Sequence, residues 1–201
     1  MWFLKKPSDE EIQAFLARQS RQTFSYAEVG ASRSGSPTGF DLDHNRVQLG
    51  EGRAVYEAAC LALSQWAMFP GSWTEICPQG VPVEEGNDVA VLFRVMGLWW
   101  VTACRIVYVV DETAPTRRFG FAYGTLPAHI ECGEERFSIE WQADDTVWYD
   151  IRAFSRPRYW LTRLGYPIAR RFQRRFVRES QAAMCEAVAR SALGTAVDGI
   201  V

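Results

Sequence analysis

Hydrophobic positions recur at helical spacing near the start of the chain, switch to a period of two in its middle, and return to helical spacing at its end. Ser8 and Glu11 have capping-box spacing, with Pro7 before the cap and Ile12, Phe15 and Leu16 following at helical intervals. Residues 9–19 are therefore predicted to form an amphipathic helix. Phe24–Val29 reads as a short strand and Ser32–Gly39 as a Ser/Gly/Pro loop. Arg46–Leu49 reads as another short strand, ended by Gly50-Glu51-Gly52. The helix that follows runs to about Met68, keeps Val55, Ala58, Ala59, Ala62 and Trp66 on one side, and stops at Pro70-Gly71. Trp73–Cys77 is again strand-like.

From Val89 the alternation is strict. Val89–Met96 and Trp99–Val110 are predicted strands joined by a tight turn at Gly97-Leu98. Arg118–Leu126 places Phe119, Phe121, Tyr123 and Thr125 on one face and Gly120, Ala122 and Gly124 on the other. Phe137, Ile139 and Trp141 alternate with polar residues, Ala143-Asp144-Asp145 turns, and Thr146–Ser155 is the last strand. Short turns between consecutive strands imply an antiparallel meander. Pro157 is read as opening a helix that Gly165-Tyr166-Pro167 interrupts. From there to about Leu193 nothing breaks the helical pattern, a rod of about 40 Å at ~1.5 Å per residue. Ile168, Ala169, Phe172, Phe176, Ala183 and Ala187 share one side of it. Arg163, Arg170, Arg171, Arg174, Arg175 and Arg178 share the other.

A sheet with one apolar face needs a cover, and the last helix is the evident one. The fold class expected is α+β, an antiparallel sheet curled around a long C-terminal helix in a helix-grip arrangement. Residues 1–21 are expected to be an N-terminal amphipathic helix, 22–193 a single domain, and 194–201 a tail.

Composition changes this picture little. Of 201 residues, 48% are hydrophobic and 23% charged, as in an ordinary globular protein with a sizeable core. A net charge of −2 argues against nucleic acid as a partner. Five cysteines, odd in number and without a C-x-x-C pair, fit reduced thiols and a cytoplasmic setting. The longest apolar stretch, Leu98–Cys104, falls far short of a membrane span. The chain lacks G-x-S-x-G, a P-loop, G-x-G-x-x-G and H-E-x-x-H, so no reaction or cofactor is assigned from motifs.

Several segments carry a resemblance. They are Phe24-Ser-Tyr-Ala-Glu-Val-Gly30, Asp43-His-Asn-Arg-Val47 with Leu49-Gly-Glu-Gly52, and Ala103-Cys-Arg-Ile-Val-Tyr108. Others are Phe119-Gly-Phe-Ala-Tyr-Gly-Thr-Leu-Pro127, His129, Glu131, Gly133-Glu-Glu135, Phe137, Trp148-Tyr149 and Ala153-Phe-Ser-Arg-Pro157. Over roughly residues 22–180 the chain resembles the uncharacterised domain-of-unknown-function family numbered nineteen-ninety, found in bacteria and plants. That family is similar to the Bet v 1/START-like helix-grip superfamily. The resemblance implies this fold and brings no activity, catalytic residue or cofactor. Helix-grip proteins commonly bind lipids or other apolar molecules, and some are cyclases or hydrolases, which is an analogy of fold alone.

Four features are weighed against plainer readings. His129 and Glu131 are candidates for an acid–base pair or metal ligands, in a loop after Tyr123-Gly-Thr-Leu-Pro127 that also holds Cys132, Glu134 and Glu135. With two histidines in the chain a closed metal site is not expected, and turn-shaping and solvation are the preferred roles. The arginines of the last helix could meet anionic lipid or an acidic partner, but a solvated face is the simpler account. If the strand charges point inward, Arg105 or Arg152 could hold a ligand carboxylate or phosphate, and if outward, Arg105, Asp150 and Arg152 form cross-strand pairs with residues such as Glu140. Outward is the default, because burying a lone charge is costly. The aromatic face is packed core or cavity lining, with Tyr123, Thr125 and Tyr149 as polar anchors. The expectation that follows is a module binding an apolar or amphipathic small molecule between sheet and last helix. Its contact set is Tyr123, Thr125, Trp141, Tyr149, Arg152, Phe172 and Phe176. The alternatives are a hydrolase or cyclase using His129 and Glu131 at the cavity mouth, or a peripheral or protein-interaction module using the arginine face.

Overall fold

A computed structural model describes residues 1–35, 37–114, 116–158 and 166–198. Its strands are β1 (Trp2–Phe3), β2 (Asp41–Glu51), β3 (Thr74–Cys77), β4 (Asp88–Val95), β5 (Leu98–Glu112), β6 (Arg117–Thr125), β7 (Glu131–Trp141) and β8 (Thr146–Pro157). Its α-helices are α1 (Asp9–Gln19), α2 (Gly52–Ser64) and α3 (Tyr166–Asp198). The strands form one antiparallel sheet in the order β2-β8-β7-β6-β5-β4-β3, with the short β1 pairing with β5 at Trp2↔Trp100. The meander from β4 to β8 matches the alternation read in the sequence. β2 is the return strand that pairs with β8, its residues Asp41–Glu51 lying opposite Ser155–Thr146. This is the helix-grip arrangement, an antiparallel sheet with a long terminal helix on its inner face.

The inner face is set by the period of two. Val147, Tyr149 and Ile151 of β8, Phe137 and Ile139 of β7, Phe121 and Tyr123 of β6, and Ile106 of β5 join one core with Ala59, Leu63 and Trp66 of the α2 region and with Met184 and Val188 of α3. Two helices therefore share the cover. α3 lies mostly against α2 and reaches the sheet at β2 and β8. Its buried stripe is Ser180, Met184 and Val188, one position every four residues and further along the helix than the expected centre at Phe172 and Phe176. Ile168, expected on the covering face, is exposed.

The outer face is covered at both ends. At β4 and β5, α1 docks Ile12 and Phe15 onto Leu92, Val101 and Leu126, started by the predicted Ser8–Glu11 capping box. At β7 and β8, Phe24, Tyr26, Ala31 and Phe40 lie across the sheet. Phe24–Val29 was expected to be a strand. It is not one, because its alternating aromatics pack downward instead of pairing laterally. Tyr26 and Phe40 meet Phe154 with ring centroids 5.7 and 5.0 Å apart. A single 3₁₀ turn at Ala31–Arg33 follows.

Other boundaries also move. β7 begins at Glu131, so Glu131–Glu135 are strand residues and not loop. β8 runs to Pro157, and the helix expected over the following residues falls on 159–165, outside the described residues. α3 starts at Tyr166 with Pro167 in its first turn, and it carries five residues of the expected tail, 194–198, in helix.

Candidate functional site

On the inner face, β6, β7 and β8 bring Tyr123, Glu135 and Ala153 side by side in register. The Tyr123 hydroxyl donates to Glu135 Oε2 at 2.8 Å. Phe137 flanks the pair, its ring centroid 5.4 Å from that of Tyr123. Deeper along the sheet, the fully buried Tyr149 shares a 2.9 Å hydrogen bond with Ser180 of α3. Tyr149, Ile139, Val147, Met184 and Val188 fill the space under the middle of the helix, so that part is packed core.

Toward the start of α3 the inner face carries polar side chains. Burial pushes the Glu135 carboxyl up to about 7, with nearby Glu131 and Asp43 adding to the rise and the Tyr123 hydrogen bond opposing it. Glu135 is nevertheless only half-buried, and its Oε1 accepts no hydrogen bond among the described residues. A desolvated carboxyl with one oxygen unpartnered differs from the apolar packing around Tyr149. Gln173 Nε2 donates to both Glu131 oxygens at 2.8 and 2.9 Å. Arg170 grips Asp43 of β2 through both terminal nitrogens, one at 2.7 Å.

The expected contact residues are only partly gathered here. Tyr123 and Tyr149 are on the inner face as anticipated. Thr125 is close, but its Oγ1 is engaged by Ser25 Oγ at 2.6 Å and by the Gly133 N–H at 3.0 Å. Phe172 and Phe176 turn toward Trp73 and Phe69, at centroid distances of 5.8 and 5.2 Å. Trp141 sits at the opposite end, stacked near Tyr56 of α2 and donating to Asp145 Oδ1 at 2.8 Å. Arg152 is on the outer face, where β8 pairs it with His44. Arg105 also faces away, paired with Asp88 at 2.6 Å and donating to the carbonyls of Ser20 and Gln22.

His129 and Glu131 do not form a side-chain pair. His129 Nδ1 accepts the Glu131 N–H at 3.0 Å, which closes the turn before β7. Burial lowers its pKa to about 4, which leaves the ring neutral at pH 7. Glu131 spends its carboxylate on Gln173. No group of three metal-ligating side chains occurs among the described residues. The residues that sequence reasoning left out of the contact set are Glu135, Ser180 and Gln173. Glu135 had a usable signal, since the alternation of Phe137, Ile139 and Trp141 extends back to it in steps of two.

A family model described as Domain of unknown function (DUF1990) matches residues 25–183. The chain belongs to this family. Tyr123 and Glu135 both fall within the matched region. A UPF0548 protein of Dictyostelium discoideum is 34% identical, covering 94% of this chain and 96% of its own length. A UPF0548 protein of Arabidopsis thaliana is 38% identical, covering 75% of this chain and 74% of its own. Among solved structures, human STARD10 aligns over 92% of this chain and 81% of its own, with 11% identity and a TM-score of 0.48. No helix of this DUF1990 chain is long and apolar enough to cross a membrane, among the described residues.

The raised Glu135 pKa makes a pH prediction for this DUF1990 domain. An acid whose folded pKa lies above its unfolded value binds more protons when folded. Its stabilising contribution is complete below about 4.5 and is lost as pH rises through about 7. His129, with its folded pKa lowered from 6.5 to about 4, has the opposite slope between those values. Glu135→Gln isolates the first effect. Urea midpoints should show the variant gaining on the wild type from pH 5 to pH 8, at up to ~1.4 kcal/mol per pH unit. A difference that stays constant with pH would refute the assignment.

Proposed function

We propose that the protein binds an apolar or amphipathic small molecule at the α3-start end of the space between sheet and helix, with its polar end at Glu135 and Tyr123. The observation that carries this reading is the free, accessible Oε1 of a desolvated carboxyl beside aromatic side chains. Packed cores do not leave such an atom unmatched, whereas binding pockets are largely apolar with a few aimed polar groups. The contact set narrows to Tyr123 and Glu135, since Tyr149 belongs to the packed core. An acid–base role for His129 and Glu131 draws no support from a ring bound to main chain and a carboxylate bound to Gln173. The arginine face supports a docking role weakly, since Arg170 and Arg175 pair with Asp43 and Glu179 within the chain.

The test is a fluorescence titration with 1-aminoanthracene, an apolar probe carrying one amine. Saturable one-to-one binding is expected, weakened at least about tenfold in Glu135→Leu, the loss of one charge-assisted contact. It should be unchanged in Arg171→Glu, on the exposed side of α3. Equal binding by wild type and Glu135→Leu, or no saturation in either, would remove the proposal.

A further inference from the structure

On the opposite side of the sheet a second cleft, of about 520 Å³, opens between the 3₁₀ turn and the β2–β8 edge. Arg33, Ser34, Asp43, His44, Arg152 and Phe154 line it. Beneath the arginines at its edge is the fully buried Asp150. Three guanidiniums and the His44 ring converge on that one carboxylate. Arg136 and Arg152 approach Oδ1 at 3.3 and 3.2 Å, and His44 and Arg46 approach Oδ2 at 2.5 and 3.3 Å.

The network holds more donors than acceptors. Six guanidiniums (Arg33, Arg46, Arg118, Arg136, Arg152 and Arg170) stand against five carboxylates (Asp43, Glu112, Asp150, Glu134 and Glu140). Asp43 is already held by Arg170, and Glu134 by the Gly30–Ser32 turn. Arg136 Nε is buried with no acceptor among the described residues. Arg33 stacks its guanidinium 4.3 Å from the Tyr108 ring and donates to no described residue. Arg152 donates to Asp150 through Nε, and its two terminal nitrogens donate to no described residue. A buried carboxylate thus fixes one arginine and an aromatic ring supports another. Both border a single cleft with N–H groups left to give, an arrangement suited to a bidentate anion.

We propose that this outer cleft binds a small anionic ligand with a phosphomonoester head, held between Arg33 and Arg152. Its position on the far side of the sheet makes it a second site, independent of that proposed at Glu135. A phosphomonoester head is presented both by a soluble metabolite-sized molecule and by a monoester phospholipid, and the test separates them. Isothermal titration with glycerol 3-phosphate addresses the first, and co-sedimentation with vesicles containing phosphatidate addresses the second.

Saturable binding in either arm is expected, weakened at least about tenfold by Arg33→Gln and by Arg152→Gln, and unaffected by Arg171→Gln on α3. Neither cleft variant strips Asp150, which retains Arg46, Arg136 and His44, so both variants should fold. Their unfolding midpoints check this before titration. Binding in the vesicle arm alone assigns a lipid headgroup, and binding in the soluble arm assigns a free phosphomonoester. No saturable binding in either arm, or binding that both variants retain at wild-type strength, overturns the site.

Discussion

Replacing Gly133 with alanine is expected to cost the fold more than about 4 kcal/mol, a large share of the 5–15 kcal/mol that holds a typical domain together. Gly133 is near the start of β7, opposite Ser155 of β8. A Cβ there would lie 1.9 Å from the carbonyl oxygen of Phe154 and 2.8 Å from the Cα of Ser155. Both are backbone atoms of the neighbouring strand, so no side-chain rotation relieves the clash, unlike most overpacking changes. The β7–β8 ladder would have to part where Glu134 and Glu135 are positioned. Urea denaturation reads the effect, and a midpoint near that of the wild type would show that the strands are less closely apposed than described.

The second large effect is at Glu134, which is expected to lose about 3–5 kcal/mol on replacement by alanine. This carboxylate is buried on the outer face and gathers one segment of chain. Tyr26 Oη and the Gly30 N–H donate to Oε2, each at 2.8 Å. The Ser32 N–H donates to Oε1 at 3.0 Å, and Ser32 Oγ donates to the same atom. Alanine would strand three donors under the covering segment, Ser32 Oγ keeping the Tyr108 hydroxyl. Glu134→Gln should be milder than alanine but still costly, since its amide nitrogen faces donors where the second oxygen stood. Hydrogen exchange should show protection falling first at residues 26–33. An alanine variant as stable as the wild type, with exchange unchanged there, would show that the segment is held by its aromatic contacts alone.

The sheet was legible because its inner positions are aromatic or β-branched at strict period two, from Val89 to Ser155. The pattern is weakest where polar residues occupy buried positions, and that is where the reading missed. Glu131–Glu135 reads as loop since acids, cysteine and glycine carry no apolar alternation. In the fold Glu134 is buried by its bonds to the Gly30–Ser32 turn, and Glu135 is on the inner face bonded to Tyr123. Asp150 points outward, as the default expectation had it, yet it is fully buried, because the arginines of β2, β7 and β8 and the turn at Ala31–Arg33 close over it. Outward and exposed are the same only where nothing covers the outer face. Phe24–Val29 misled for the related reason that alternation marks one-sided burial, which a covering segment can satisfy without strand pairing.

An aromatic face and a long helix predict a cavity along the whole contact. Ser180 and Met184 of α3 instead fill its middle as packed core. Arg152 and Trp141 leave the contact set for topological reasons, one by facing out and the other by lying at the far hairpin.

Native mass spectrometry of the freshly purified chain decides whether Glu135 and Tyr123 hold a small molecule. The expected result is a one-to-one adduct of an apolar or amphipathic molecule on the wild type, absent from Glu135→Leu. A bare chain in both, with no adduct formed after incubation with 1-aminoanthracene, would contradict it.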